Sequence, residues 1–212
     1  MKSSDNLSPR RKHMWDFVRL CIPGRMRWFY EGHPKLRGQL WYAERKLLYE
    51  TIRAYRPVHC FEIGTWRGGG STLFISQALH DNQQGMLHTV EVNKEFYNDA
   101  MRNYETNLPE LVDYVAFHLG DYKTIYGQVL EECKQVDFLI LDGAEHGEQT
   151  LDQYNFFAPY LRQGSLLMAH DWFTEKCELL RREIEGSKQW GIVSVLTPPK
   201  SVGLALAVRN SE

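Results

Sequence analysis

Apolar residues along this chain switch repeatedly between helical and strand spacing, beginning near residue 41. Residues 41–55 place Leu47, Leu48 and Ile52 on one helical face and stop before Pro57, which cannot continue a helix. Residues 58–63 form a short apolar run, read as a first strand. A helix follows over 71–80, with Leu73, Phe74, Ile75, Ala78 and Leu79. Gly85 precedes a second strand at 86–92, then a helix over 94–104 and a third strand over 114–119. Residues 124–133 read as helix, and 136–142 are the most continuous buried strand in the chain. Leu151, Tyr154, Ala158 and Leu161 share one face of a helix predicted over 148–161. A fifth strand at 164–169 and a helix at 174–185 come next. Strands at 190–196 and 202–208 close the pattern, joined through Thr197-Pro198-Pro199-Lys200.

Strand–helix alternation of this kind predicts an α/β fold with a doubly wound, mostly parallel sheet of seven strands. The last two strands have no helix between them, so the final one should run antiparallel. Ligands of such sheets bind outside the carboxyl ends of the strands. The residues expected there are Glu62 and Gly64, Glu91, Gly120 and Asp121, Asp142, and His170 and Asp171. One acid at a strand end is simply a return to solvent; five strands ending beside acids at one edge point to a site.

The first strand runs into Glu62-Ile63-Gly64-Thr65-Trp66-Arg67-Gly68-Gly69-Gly70-Ser71, a glycine-rich turn opening a helix. Such a turn admits positive φ and close ligand approach, and the helix N-terminus at Ser71 offers unpaired N–H groups to an anion. The dinucleotide pattern G-x-G-x-x-G fails because Trp66 stands at its second glycine. The pattern G-x-x-x-x-G-K-[ST] fails because Gly70 stands where its lysine belongs. What fits is an acid two residues before Gly64 and a second glycine at Gly68. An acid at Glu91 suits a ribose diol in such a fold, and Asp121 is placed to read an adenine amino group.

Composition narrows the class. The chain has 212 residues, enough for one domain over 41–212 with an extension over 1–40. No apolar run reaches the ~18–20 residues that span a bilayer. Cys21, Cys60, Cys133 and Cys177 form no C-x-x-C pair, which favours buried thiols and a reducing cytoplasm. Residues 1–37 hold nine Lys/Arg against three Asp/Glu, so the remainder carries the chain's negative charge. Their interleaved Trp15, Phe17, Trp28, Phe29 and Tyr30 suit a lid or a homo-oligomer interface. Nucleic-acid and membrane-surface readings rank below it, since Pro23-Gly24 breaks any long amphipathic helix.

Over about residues 40–210 these motifs resemble the class I S-adenosylmethionine-dependent methyltransferases, a Rossmann-like family. The likeness is nearest to metal-dependent O-methyltransferases of the catechol and macrolide-sugar types. It is carried by Glu62-Ile63-Gly64 with Gly68, Thr89-Val90-Glu91-Val92-Asn93, Gly120-Asp121, Leu141-Asp142-Gly143-Ala144-Glu145-His146 and Gly164 through Trp172. The resemblance implies that Glu62, Gly64, Thr65, Gly68, Gly70 and Ser71 cradle the methionine part of S-adenosylmethionine. Glu91, Gly120, Asp121 and Asp142 would complete the cofactor site. Relatives hold magnesium or a similar ion through an acid after the fourth strand and an acidic pair after the fifth; Asp142, His170 and Asp171 match those positions. His170 replaces a carboxylate and shifts preference from magnesium toward manganese or another transition metal. Relatives also carry Asp-Gly-x-His with the histidine as base; here Glu145 takes that place and His146 follows, leaving both as candidates, with His146 favoured because an imidazole is the better base at neutral pH. The implied reaction is methyl transfer to the hydroxyl of a small molecule, with Trp66 and Trp172 as candidate substrate walls. A metal-independent transferase, a metal-dependent hydroxylase and a non-catalytic cofactor-binding protein are the alternatives.

Overall fold

The computed structural model describes residues 27–197, Pro199 and residues 201–211. The basic, aromatic part of the N-terminal extension, residues 1–26, with Cys21 and the proposed interface role, lies outside the described residues, as do Pro198 and Lys200.

In chain order the elements are α1 (Arg27–Glu31), α2 (Tyr42–Tyr55), β1 (His59–Ile63), α3 (Ser71–Asn82), β2 (Met86–Glu91) and α4 (Lys94–Asn107). They continue as β3 (Val115–Leu119), α5 (Tyr122–Cys133), β4 (Val136–Leu141), α6 (Gly147–Phe157), β5 (Leu161–His170), α7 (Glu178–Gly186), β6 (Trp190–Leu196) and β7 (Leu204–Arg209). One sheet holds all seven strands in the order β3-β2-β1-β4-β5-β7-β6. β1 to β5 pair in parallel, and β7 runs antiparallel between β5 and β6. This is the doubly wound, Rossmann-like architecture expected from the alternation.

Because successive strand residues face opposite ways, each face of the sheet builds its own core. Cys60, Leu87, Phe138, Leu166 and Met168 pack with Leu48 and Ile52 of α2, Leu73 and Ile75 of α3, and Tyr104 of α4. On the reverse face Phe61, Val90, Leu139, Leu167 and Ala169 meet Tyr126 and Leu130 of α5, Tyr154 and Phe157 of α6, and Leu180 and Ile184 of α7. Each fully buried large side chain contributes about 1.5–3 kcal/mol by leaving water. The buried thiols of Cys60 and Cys177 belong to these two layers.

Several boundaries shift by one to three residues, and two helices differ more. The helix predicted to reach residue 161 ends at Phe157, and a 3₁₀ turn, Ala158–Tyr160, follows. Pro159 has no N–H to continue the α-helical ladder, and Leu161 instead pairs with Val136 as the start of β5. The helix predicted over 174–185 divides into a 3₁₀ turn, Glu175–Cys177, and α7. Ahead of α2, Leu36 and Leu40 are buried in the first core layer, and the ring of Tyr30 stacks on Tyr42 at 5.0 Å.

Candidate active site

β1 delivers the glycine turn to the carboxyl edge of the sheet. Gly64 has φ of +103°, and a Cβ there would stand 2.9 Å from the Cα of Gly143 after β4. Only glycine lets these two loops touch. Gly69 is explained differently: a Cβ on it would strike the carbonyl of Arg37, and one on Gly38 would strike the carbonyl of Gly69. The segment before α2 therefore crosses directly over the turn, backbone on backbone. Gly68 faces the ring of Tyr104.

Two acids stand behind this turn in different roles. Glu62 is fully buried and accepts hydrogen bonds from Thr72 Oγ1 at 2.6 Å and Thr89 Oγ1 at 2.7 Å. Burial pushes its carboxyl up to about 7, although those hydroxyls favour the charged form. Glu91 ends β2, with Oε2 accepting from the backbone of Trp66 at 2.8 Å and Oε1 from that of Asn93 at 2.9 Å. Both oxygens are thus oriented while the side chain still lines a cavity.

That cavity, of about 690 Å³, runs along the carboxyl ends of the strands and falls within the usual size of small-molecule sites. It brings together Gly64, Gly70, Ser71, Glu91, Asp142, Glu145, His170 and Asp171 of the expected set, with Trp66 and Phe96 among its aromatic lining. Glu62, Thr65, Gly68, Gly120, Asp121 and His146 are not in its wall. Thr65 Oγ1 instead meets Thr89 Oγ1 at 2.5 Å, behind the turn. Asp121 caps α5, accepting from the backbone of Lys123 at 3.0 Å and Thr124 at 3.2 Å. Gly120, with φ of +142°, donates its N–H to the carbonyl of Glu91 at 3.0 Å. His146 is exposed at the head of α6, one residue beyond the wall. Trp172, a candidate wall residue, is 2% exposed and packs in the second core layer, since the chain turns inward after β5.

Backbone strain marks the same place. Among the described residues five that are not glycine have positive φ: Arg56, Gln83 and Lys134 cap helices, whereas Trp66 (+49°) and Asp171 (+60°) line the cavity. Side chains in that conformation cost about 1–3 kcal/mol each unless the surroundings hold them. Glu91 holds Trp66. A cluster of charges holds Asp171.

In that cluster His170, with its side chain 11% exposed, faces three carboxylates. Nε2 is 3.3 Å from Glu44, and Nδ1 is 3.2 Å from Asp142 and 3.4 Å from Asp171. None of the three is aligned as a hydrogen bond, so charge rather than direction holds the ring. Burial alone would lower the imidazole's affinity for protons; the carboxylates outweigh it and push the group up to about 12. Beside His170, the Asp171 carboxyl is held well below its usual range. Glu44 is fully buried and also accepts from Trp41 N at 2.7 Å and Ser201 Oγ at 2.5 Å. Burial opposes ionisation, but His170 first, then Ser201 and Trp41, hold the Glu44 carboxyl below its ordinary value. Lys176 completes the cluster: its Nζ lies 2.7 Å from the Asp142 carbonyl, 2.9 Å from Asp142 Oδ1 and 3.0 Å from Asp171 Oδ2.

Glu44 and Lys176 carry no local sequence signal, one being a polar position on a mixed helix and the other following β5 in a turn. The one trace of them is His170 itself, a ring where relatives carry a carboxylate. The ligand atoms of Asp142, His170 and Asp171 lie within 4.8 Å of one another, close enough for a metal. Yet an ammonium stands between the two carboxylates, and both ring nitrogens of His170 face anions. As arranged, this donor set does not fit a divalent ion.

A family model described as "Methyltransferase domain" matches residues 61–172, just over half of the chain. The chain belongs to that family, and with this fold it is a class I, S-adenosylmethionine-dependent methyltransferase. Solved structures agree in fold. An O-methyltransferase of Streptomyces achromogenes involved in tomaymycin synthesis, in complex with S-adenosylmethionine, aligns with TM-score 0.69 and 16% identity, covering 97% of this chain and 100% of that one. An O-methyltransferase of Bacillus cereus in complex with S-adenosylhomocysteine aligns with TM-score 0.65 and 17% identity, covering 98% and 94%. A methyltransferase of Geobacter sulfurreducens gives 0.63 and 17%, covering 97% and 90%. No curated protein matches the chain. Among the described residues no helix is long and apolar enough to cross a membrane.

Proposed function

We propose that this chain transfers the methyl group of S-adenosylmethionine to a hydroxyl oxygen of a small molecule. The observation that carries this reading is one cavity whose wall includes Gly64, Glu91, Asp142 and Glu145 together. Glu91, its carboxylate oriented by two backbone N–H groups, suits a ribose diol. Gly64 and Gly70 leave room for the methionine part against the start of α3. The O-methyltransferases of S. achromogenes and B. cereus, bound to the cofactor or its product, support the same reading.

The acceptor oxygen attacks the methyl carbon, the C–S bond breaks, and its electron pair stays on sulfur as S-adenosylhomocysteine leaves. The hydroxyl proton passes to a carboxylate. Glu145 is the group we assign, because it lines the cavity whereas His146, equally exposed, lies outside its wall. A sulfonium is already a good leaving group, so alignment of the two reactants is the main contribution, worth about 7–11 kcal/mol. Sugars, phenols and natural-product hydroxyls are the acceptor classes to screen.

The test couples S-adenosylhomocysteine release to a panel of such acceptors. An acceptor turned over by the native chain should be methylated about 10²–10⁴ times more slowly by Glu145→Gln, and at near-native rate by His146→Ala. The reverse ranking would reassign the base. Methylation only at nitrogen or carbon would overturn the oxygen reading.

A further inference from the structure

Charges at the carboxyl ends of β4 and β5 come close to balance without an external ion. Glu44, Asp142 and Asp171 supply three carboxylates; His170 and Lys176 supply two cations among them. An ammonium has three N–H donors. The Lys176 Nζ has three acceptors at 2.7–3.0 Å, all on Asp142 and Asp171, so each donor is engaged. A metal ligand nitrogen must offer a bare lone pair. Both nitrogens of His170 are turned toward carboxylates. The side chain of Lys176 is only 15% exposed, and the left-handed backbone of Asp171 carries its carboxylate to the same ammonium.

Resting on the methyltransferase reading of the cavity, we propose that Lys176 is a built-in replacement for the divalent cation. Its ammonium fills the place between Asp142 and Asp171 and excludes Mg²⁺ and Mn²⁺. Methyl transfer in this chain is therefore metal-free. The acceptor has no ion to chelate, so a single hydroxyl suffices and two neighbouring oxygens are not required. Lys176 acts through Asp142 and Asp171 as a positioning residue: it fixes the wall against which the acceptor lies.

Mn²⁺ alone, titrated by calorimetry into the full chain, tests this directly. Native protein should show no saturable binding below about 1 mM, the weak limit of the range that protein sites for hard divalent ions span. Lys176→Ala, which frees the position, should gain Mn²⁺ affinity at least tenfold, and Asp142→Asn in that background should remove the gain. Lys176→Met, which keeps the stem and its packing, serves as the second variant if the alanine form does not fold. Micromolar Mn²⁺ binding by native protein, abolished by Asp142→Asn, would overturn the proposal. So would the absence of any gain in both lysine variants. A parallel titration of S-adenosylhomocysteine in EDTA separates the two readings. Binding there alongside Mn²⁺ binding sinks the built-in cation alone, and no cofactor binding sinks the methyltransferase site while the Mn²⁺ series still decides the role of Lys176.

Discussion

Glu91 holds the backbone N–H of Trp66 at 2.8 Å, so the last residue of β2 fixes the turn that follows β1. The same carboxylate holds Asn93 at 2.9 Å, and Asn93 in turn caps α4 through Glu95 and Phe96. One side chain thus sets the geometry of two loops and faces the cavity. Glu91→Ala should weaken S-adenosylhomocysteine binding about 10–100-fold, the equivalent of one or two charge-assisted hydrogen bonds. Calorimetric titration measures it. Unchanged affinity would move the ribose elsewhere.

Glu62 makes stability depend on pH. Its folded-state value, about 7, lies above the ordinary 4.5, because burial favours the neutral acid. The folded chain therefore binds the proton more tightly than the unfolded chain. Stability from this group is full below pH 4.5 and is lost as the pH rises through 7, by about 3 kcal/mol. Glu62→Gln removes that titration. Between pH 4.5 and pH 8 the stability difference should move in the variant's favour by about this amount, read from urea unfolding at the two pH values.

His88 pulls the other way. Burial first, then the neighbouring His118 at 3.2 Å, lowers its value from 6.5 to about 4. A histidine lowered on folding contributes stability above pH 6.5 that disappears as the pH falls through 4. In His88→Gln the acid side of the stability profile should flatten, while the slope assigned to Glu62 remains. Unfolding midpoints at pH 4 and pH 7 distinguish the two groups.

Glycines offer a contrast in sign. A Cβ at Gly69 would meet the backbone of Arg37 and Leu36, which cannot give way as a side-chain tip can. Gly69→Ala should cost about 1–3 kcal/mol by overpacking. Gly127, inside α5, has nothing within 4 Å of such a Cβ. Gly127→Ala should stabilise the chain by about 0.5–1 kcal/mol. Thermal melts of the pair should shift in opposite directions.

What could be read ahead of the structure was whatever has a period or a local motif. Alternating Cys60/Phe61 and Leu166/Leu167 announce a sheet buried on both faces, and the acids after β1, β2, β4 and β5 mark its carboxyl edge. Glu62 and Glu91 look alike in the sequence, each closing a strand. Both are buried; what separates them is that Glu62 is held by threonine hydroxyls behind the turn while Glu91 lines the cavity. Asp121 was legible as an acid at a strand end, but the two N–H groups it caps depend on where α5 begins. Glu44 and Lys176 were illegible because they lie 126 and 6 residues from His170, and nothing in a linear chain says which of its charges will meet.

Strand β7 slots between β5 and β6, both of which precede it in the chain. During synthesis from the N-terminus, β5 has no outer neighbour until residues 204–209 emerge. Leu166 to Ala169 then present an unpaired, apolar edge to whatever else is in solution, the kind of surface that recruits other chains. His170 pairs with Leu204, so β7 is also what backs the charge cluster. A nascent chain arrested before β7 would lack the strand that covers β5 beside His170.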